Sequence, residues 1–281
     1  MKYGIPEFRL PNAIVDVEIE NLQKMGVKFI TDCIVGKTIS VKNLEEQGFK
    51  GFFVGSGAGL PNFMNIPGEN ALNIMSSNEY LTRVNLMDAA NPHTDTPINL
   101  GKKVVVVGGG NTAMDSCRTA KRLGAEVTLV YRRSEAEMPA RLEEVKHAKE
   151  EGINFMTLHN PKEYEADEKG AVKAVVLDVM QLGEPDASGR RRPEATGETI
   201  TLECDQVIVA VGVSPNPLVP KSIEGLELGR KNTIAVNDQM QSSIEEIYAG
   251  GDIVRGGATV ILAMGDGRKA ALNMSERLLK K

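Results

Sequence analysis

The chain has 281 residues, of which 41% are hydrophobic and 25% charged, and these totals suit one large or two modest globular domains. The formal net charge is −5, with 33 basic residues interspersed among 38 acidic ones, which argues against a nucleic-acid-binding surface. No apolar run approaches the ~20 residues of a membrane span and the first residues lack a secretory signal, so we expect a cytoplasmic protein that binds neither nucleic acid nor membrane.

The front of the chain predicts short strands and helices separated by turns. Apolar residues recur on one face of residues 13–25, which indicates a helix that Gly26 ends. Residues 51–54 read as a buried strand that runs into the glycine-rich turn 55–59. The other predicted elements are a strand at 27–31, a short helix at 44–48, a helix at 77–89 and a linker at 92–97.

Residues 102–131 predict the phosphate-binding unit of a dinucleotide fold. Four consecutive valines, 104–107, indicate a strand buried on both faces. Gly108 permits a tight turn, Gly110 lets backbone N–H groups approach a pyrophosphate, and Ala113 allows close helix–strand packing. A helix with its positive N-terminal end and a second strand at 126–131 follow in order, which favours a nucleotide site over an ordinary glycine-rich strand–helix connection. The buried stripe of this helix is predicted to be Ala113, Met114, Cys117, Ala120 and Leu123.

Three side chains in or next to this unit carry further predictions. An NAD enzyme usually has an acidic residue after the second strand, whereas this chain has Arg132 and Arg133 there. Guanidinium groups chelate a 2′-phosphate that a carboxylate would repel, so we favour NADP(H) over NAD, the alternative being two arginines that solvate a loop. Asp115, one turn into the helix, is expected to stabilise the helix start or to hydrogen-bond a neighbouring loop.

The back half predicts an antiparallel meander and then a return to parallel strands. Strands at 171–179 and 199–204 flank a turn at 183–189, and the basic run 190–192 is interpreted as a solvated loop, with a contact to a partner subunit as the alternative. The later predictions are a buried strand at 207–211, the turn Gly212–Pro217, a strand at 247–249, the turn Gly250–Asp252 and a helix at 259–279. Alternating strands and helices indicate the α/β class.

Several phrases, in this order, resemble the small-subunit (beta) family of NADPH-dependent glutamate synthase. They are Tyr3–Pro11, Gly55–Pro61, Ile66–Glu69, Gly108–Asp115, Tyr131–Glu135, Met138–Arg141 and Ala249–Asp252. The resemblance implies two interleaved Rossmann-like dinucleotide-binding domains, namely an incomplete FAD-binding domain at 1–97 and 214–281 and a complete NADP(H)-binding domain with a β-meander at 98–213. It also implies hydride transfer between NADPH and FAD, with electrons passing to iron–sulfur clusters, in the family case for glutamate biosynthesis.

The resemblance also assigns cofactor-binding residues. The NADP pyrophosphate would lie against Gly108, Gly110, Asn111 and Thr112, with Ala113 completing the cofactor-binding turn through close helix packing, and the 2′-phosphate would lie against Arg132 and Arg133. Asp252 would hydrogen-bond a ribityl hydroxyl of FAD, and the helix that opens at Thr259 and Val260 would stabilise a reduced flavin ring. The other flavin positions are the turn glycines Gly55, Gly57, Gly212 and Gly251. Direct hydride transfer requires no acid or base, so no catalytic residue is named, and the scattered His93, His147 and His159 show no metal-ligand spacing.

The sequence departs from this family in what precedes Tyr3. Family members carry a cysteine-rich iron–sulfur region and a first FAD-phosphate turn there, whereas this sequence has neither, and its three cysteines (Cys33, Cys117 and Cys204) form no C-x-x-C pair. We therefore expect a C-terminal portion that binds NADP(H) but holds FAD weakly. Three possible roles follow: a part of a glutamate synthase-like enzyme with its large subunit or another electron-transfer subunit as partner, a ferredoxin–NADP transhydrogenase or sulfide dehydrogenase subunit, or a non-catalytic NADP-binding fragment.

Overall fold

The computed structural model describes residues 1–186 and 189–279, which form two units. Unit 1 comprises Met1–Met25 and Pro61–Gly212, and unit 2 comprises Gly26–Leu60 and Val213–Lys281. The helices, in chain order, are α1 (Asn12–Lys24), α2 (Val41–Glu46), α3 (Ser77–Met87), α4 (Asn111–Arg122), α5 (Leu142–Glu150), α6 (Leu218–Lys221), α7 (Asp252–Arg255) and α8 (Val260–Leu279). The strands are β1 (Phe52–Val54), β2 (Leu60–Pro61), β3 (Ile74–Ser76), β4 (Lys103–Val107), β5 (Glu126–Tyr131), β6 (Asn154–Thr157), β7 (His159–Ala166), β8 (Val172–Pro185), β9 (Arg191–Glu203), β10 (Gln206–Val209), β11 (Val213–Ser214) and β12 (Ile247–Ala249).

Unit 1 is built on a five-stranded parallel sheet with the order β3-β10-β4-β5-β6. The four valines of β4 are 0–4% exposed, as expected for a central strand covered on both faces. One face packs against α3, α4 and α5 through a cluster that includes Met114, Cys117 and Leu129. All predicted stripe residues of α4 are buried except Leu123, which is half-buried at the C-cap.

The other face of this sheet packs against the predicted meander. Strands β7, β8 and β9 form a three-stranded antiparallel sheet, and Val175 and Leu177 of β8 lie in one cluster with Val105 and Val107 of β4. The two long strands extend well beyond the predicted ones, so that only residues 186–190 separate them. Ala187 and Ser188 of the predicted turn lie outside the described residues.

Unit 2 has a smaller core around two parallel strands, β1 and β12, which pair from Phe52↔Ile247 to Val54↔Ala249. Ile234, Ile247 and Ile253 are its most deeply buried large side chains. Helix α8 runs for 20 residues. Two short strands, β2 and β11, pair with each other.

These observations confirm the α/β class and the parallel sheet and correct one detail. The prediction of a strand at 27–31 is wrong, because those residues pair with no described strand, and Phe29 and Ile30 are 49% and 79% exposed. Residues 61–97 belong to unit 1, where β3 pairs with β10. Within the described part of the chain, no helix is both long and apolar enough to cross a bilayer.

Candidate functional site

The turn between β4 and α4 has a backbone that only glycine can supply. Gly108 has φ +139°, and a Cβ there would collide with the carbonyl oxygen of Ala210 on the neighbouring strand. A Cβ at Gly109 would lie 2.6 Å from the ring of Tyr131. The Gly108 N–H donates to the Val130 carbonyl at 3.0 Å. The turn is therefore held between the two neighbouring strands, as its sequence predicts.

The start of α4 is open where the turn ends. Gly110 is the N-cap, no side chain caps the helix, and no atom lies within 4 Å of the position that a Cβ at Gly110 would occupy. The first N–H groups of a helix have no carbonyl partner within it and form the positive end of its dipole. Residues 113–120 are buried, whereas Thr112, the second residue of α4, is exposed. A rigid helix thus presents uncapped donors, which is the arrangement that binds a phosphate.

The loop at residues 138–141, for which no role was predicted, closes one side of this turn. The backbone N–H of Arg141 donates to the Asn111 side-chain oxygen at 2.9 Å, and that of Ala140 donates to the Gly109 carbonyl at 3.1 Å. The Tyr131 hydroxyl donates to the Glu137 carbonyl at 3.0 Å. Asn111, the first residue of α4, therefore joins the open helix start to residues 138–141.

Arg132 and Arg133 come directly after β5, at the carboxyl edge of the same sheet. Arg132 is exposed, whereas Arg133 is half-buried and its buried Nε has no hydrogen-bond partner among the described residues. Neither pairs with a carboxylate in the described part of the chain. Burial raises the pKa of Tyr131, and the positive charges of Arg133 and Arg132 act in the opposite direction. Two guanidinium groups that pair with no carboxylate among the described residues, one of them with a buried unsatisfied Nε, fit an anionic group such as a phosphate.

Behind the open end, an ionic network holds α4 to the N-terminal segment. The Arg9 guanidinium donates to both Asp115 oxygens at 2.7 and 2.8 Å and lies 3.1 Å from Glu144 of α5. Burial raises the pKa of Asp115 to about 6, and Arg9 opposes that shift. Arg118 pairs with Glu144 at 2.7 Å. The prediction that Asp115 bonds a neighbouring segment is confirmed, but its partner is 106 residues away and carries no local signal.

In unit 2, the predicted flavin residues gather at the carboxyl ends of two strands. Gly55 and Gly57 follow β1 and Gly251 and Asp252 follow β12, which brings the two turns to one edge because the strands are parallel. Gly251 has φ +74° and donates its N–H to the buried Asp266 carboxylate at 3.0 Å. Asp252 is half-buried, and its Oδ1 accepts from the Ala258 N–H at 2.8 Å.

The remaining predicted flavin residues lie apart from these turns in the chain. Thr259 precedes α8, and its hydroxyl accepts from the Leu262 N–H at 3.4 Å, so that one first-turn donor is already partnered. Val260 is the first residue of α8 and is exposed. Gly212 follows β10 in unit 1 with φ +104°, and its carbonyl accepts from the Asn62 N–H at 3.0 Å.

Comparison with known proteins places this chain among pyridine nucleotide-dependent oxidoreductases. A family model described as pyridine nucleotide-disulphide oxidoreductase matches residues 9–267. A putative glutamate synthase (NADPH) small chain from Cereibacter sphaeroides is 36% identical, over 99% of this chain and 68% of the relative. An NADP(+)-dependent formate dehydrogenase subunit beta from Moorella thermoacetica is 38% identical, over 98% of this chain and 38% of the relative. This chain therefore spans about two thirds of one relative and well under half of the other.

A solved structure confirms the fold. The chain superposes on Mycobacterium tuberculosis FprA in complex with NADPH with a TM-score of 0.81, at 19% identity and over 99% of this chain and 75% of that one. T. acidophilum thioredoxin reductase gives a TM-score of 0.63 at 21% identity, over 82% of this chain and 66% of that one. At these identities the likeness shows a shared Rossmann-like fold.

Proposed function

The chain belongs to the pyridine nucleotide-disulphide oxidoreductase family, and from that premise we propose that it is the NADPH-binding part of a flavoprotein oxidoreductase of the glutamate synthase small-chain type. The observation that carries the proposal is the open start of α4 next to Arg132 and Arg133. The three cysteines are free, with Cys117 and Cys204 buried, so the proposed acceptor of electrons is a flavin rather than a disulfide of this chain.

The NADP(H) residues fit a nucleotide that carries a 2′-phosphate. The pyrophosphate would lie against the first-turn N–H groups of α4 at Gly110, Asn111 and Thr112, where no side chain competes for them. Gly108 would allow the backbone of the turn to approach the pyrophosphate closely, and Ala113 would allow α4 to pack closely against the sheet. The unpaired guanidinium groups of Arg132 and Arg133 would bind the 2′-phosphate through charge-assisted hydrogen bonds.

The flavin residues support FAD as the second cofactor. The half-buried Asp252 carboxylate would accept from a ribityl hydroxyl, and the glycines at 55, 57, 212 and 251 would let the chain turn close to the cofactor. When bound, FAD supplies a two-electron acceptor for hydride and a route to one-electron carriers. The protein would bind and orient both cofactors, and none of its side chains would need to transfer a proton.

The subunit names of three relatives support an electron-transfer partner. They are named as the small chain of glutamate synthase, the beta subunit of a formate dehydrogenase and the beta subunit of an NADPH-Fe(3+) oxidoreductase. We propose that electrons leave for iron–sulfur clusters on other segments or subunits. Ferredoxin–NADP transhydrogenase and sulfide dehydrogenase subunits are alternative settings for the same hydride step.

Nucleotide titration tests the NADPH part of the proposal. We expect NADPH to bind more tightly than NADH, and the double variant Arg132→Gln/Arg133→Gln to weaken NADPH about ten- to hundredfold while leaving NADH unchanged. Arg230→Gln, which removes an exposed arginine of unit 2, is the matched control and should change neither affinity. Equal losses for NADPH and NADH would contradict the placement of the 2′-phosphate.

Visible absorption of the purified chain tests the flavin part. Flavin bands that bleach when NADPH is added without oxygen would show that the chain holds FAD and its hydride path. Dye reduction by NADPH, measured with and without added FAD, gives the rate of electron transfer from NADPH to the dye. A colourless chain that prefers NADPH to NADH and reduces no dye would leave only the nucleotide-binding role.

A further inference from the structure

The loop at residues 138–141 brings an arginine to the open start of α4. The Ala140 N–H donates to the Gly109 carbonyl at 3.1 Å, and the Arg141 N–H donates to the Asn111 side-chain oxygen at 2.9 Å. Gly109 lies in the phosphate turn, and Asn111 is the first residue of α4. The backbone of Arg141 is therefore fixed beside the uncapped helix donors, and its long side chain can reach a group that those donors hold.

The Arg141 side chain has no partner in the described part of the chain. It is exposed, and neither an ion pair nor a hydrogen bond joins its guanidinium to another described residue. Of the two acidic residues in the first turn of α5, Glu144 already pairs with Arg9 at 3.1 Å and with Arg118 at 2.7 Å. The other, Glu143, forms no ion pair with Arg141. The cation is thus available to an anion from outside the chain.

An arginine is also a poor residue for the position that Arg141 occupies in α5. It is the N-cap, and its side chain makes no capping hydrogen bond. Serine, threonine, aspartate and asparagine stabilise this position, whereas the positive end of the helix dipole disfavours a cation there. The start of α4, to which Arg141 is bonded through Asn111, is a second positive end. A residue that breaks a local preference without a compensating contact is typical of a functional site.

We propose that Arg141 binds the pyrophosphate of the nucleotide together with the first-turn N–H groups of α4. This inference rests on the proposed function and adds a full positive charge to the phosphate turn, whose other proposed donors are uncharged. A guanidinium can bind two phosphate oxygens at once, which a single backbone N–H cannot do. Because NADPH and NADH share the pyrophosphate, Arg141 would contribute to the affinity for both, unlike Arg132 and Arg133.

Titration with NADPH, NADH and adenosine 2′-monophosphate tests the assignment. Arg141→Gln should weaken NADPH and NADH by the same factor, about three- to tenfold, because a charge-assisted hydrogen bond from an exposed side chain is lost. It should leave adenosine 2′-monophosphate unchanged, since that compound carries the 2′-phosphate but no pyrophosphate. Arg141→Lys should recover part of the affinity. Lys146→Gln, which removes an exposed cation further along α5, is the matched control and should change none of the three affinities.

The thermal melting temperature distinguishes binding from a structural role. We expect Arg141→Gln to melt at the temperature of the wild type or slightly above it, because the change removes a cation from a helix start and leaves the backbone bond to Asn111 in place. A melting temperature that falls together with both affinities would give Arg141 a structural role and overturn the inference.

The remaining outcomes separate this inference from the proposed function. If Arg132→Gln/Arg133→Gln weakens NADPH selectively while Arg141→Gln changes neither nucleotide, the inference is wrong and the proposed function stands. A loss that Arg141→Gln confines to NADPH would place this arginine at the 2′-phosphate and would also contradict the inference. Equal losses for Arg141→Gln and Lys146→Gln would show an effect of net charge without a contact, which again overturns it. If the wild type binds neither NADPH nor NADH, the proposed function itself is wrong.

Discussion

Replacing Arg9 by methionine tests whether the N-terminal segment holds the nucleotide-binding helix in place. Arg9 is the partner of Asp115, whose side chain is only 6% exposed. The change keeps much of the apolar stem of Arg9 but leaves the Asp115 carboxylate beside Glu144 without this compensating cation. Removing one member of a buried pair costs about 3–5 kcal/mol, and we expect the lower end because the Arg9 side chain is 20% exposed.

The loss should depend on pH. The folded pKa of Asp115 is about 6, above its ordinary value of 3.8, so protonation favours the folded state and the stability contribution of this group falls as pH rises through the folded value. Without Arg9, the pKa of Asp115 rises further, because the hydrogen bond and charge that lowered it are gone. We expect a loss of about 3 kcal/mol near pH 8, and about 1 kcal/mol near pH 5, where Asp115 is mostly protonated in both proteins.

Urea unfolding followed by far-ultraviolet circular dichroism measures the difference, since the chain has no tryptophan. Lys2→Met is the control on the same segment, because it removes an ion pair with Asp16 whose side chains are 33% and 51% exposed, and we expect it to cost less than about 1 kcal/mol. Adding Asp115→Asn to Arg9→Met should recover part of the loss near pH 8. A loss that is equal at both pH values, or no larger than that of the control, would refute the reasoning.

Three further predictions concern single residues. Gly108→Ala should lower the free energy of unfolding by about 3 kcal/mol, because the new Cβ meets the Ala210 carbonyl, and an unchanged urea midpoint would contradict this. Gly110→Ala should cost up to about 1 kcal/mol of stability, because alanine is a poorer N-cap than glycine although the site has room, but weaken NADPH about tenfold or more in titrations; full affinity would exclude the pyrophosphate from this turn. Asp266→Asn should destabilise unit 2 by about 1–2 kcal/mol at neutral pH, discounted because its partner Arg255 is 39% exposed. The hydrogen bond from Arg255 lowers the pKa of Asp266, so this loss should fade as acid protonates the wild-type carboxylate, and urea unfolding at neutral and acidic pH would show it.

Local patterns in the sequence determined the central elements of unit 1. Val104–Val107 indicated a doubly covered strand, and these residues are buried in the middle of the five-stranded sheet. The spacing of Gly108, Gly110 and Ala113 predicted the turn and helix, and Gly124 with φ +97° follows directly after the C-cap of α4. These features depend on residues only a few positions apart, so they can be inferred from the sequence without knowledge of the rest of the fold.

Tertiary structure decided the rest, because it depends on which distant segments meet. Residues 27–31 have the apolar character of a strand but find no strand to pair with, whereas Ile74–Ser76, only three residues long, pairs with β10. Arg9 reaches Asp115 only because the chain folds the first segment against α4. Strand pairing and ion-pair formation between remote residues follow from the path of the chain, which no local periodicity encodes.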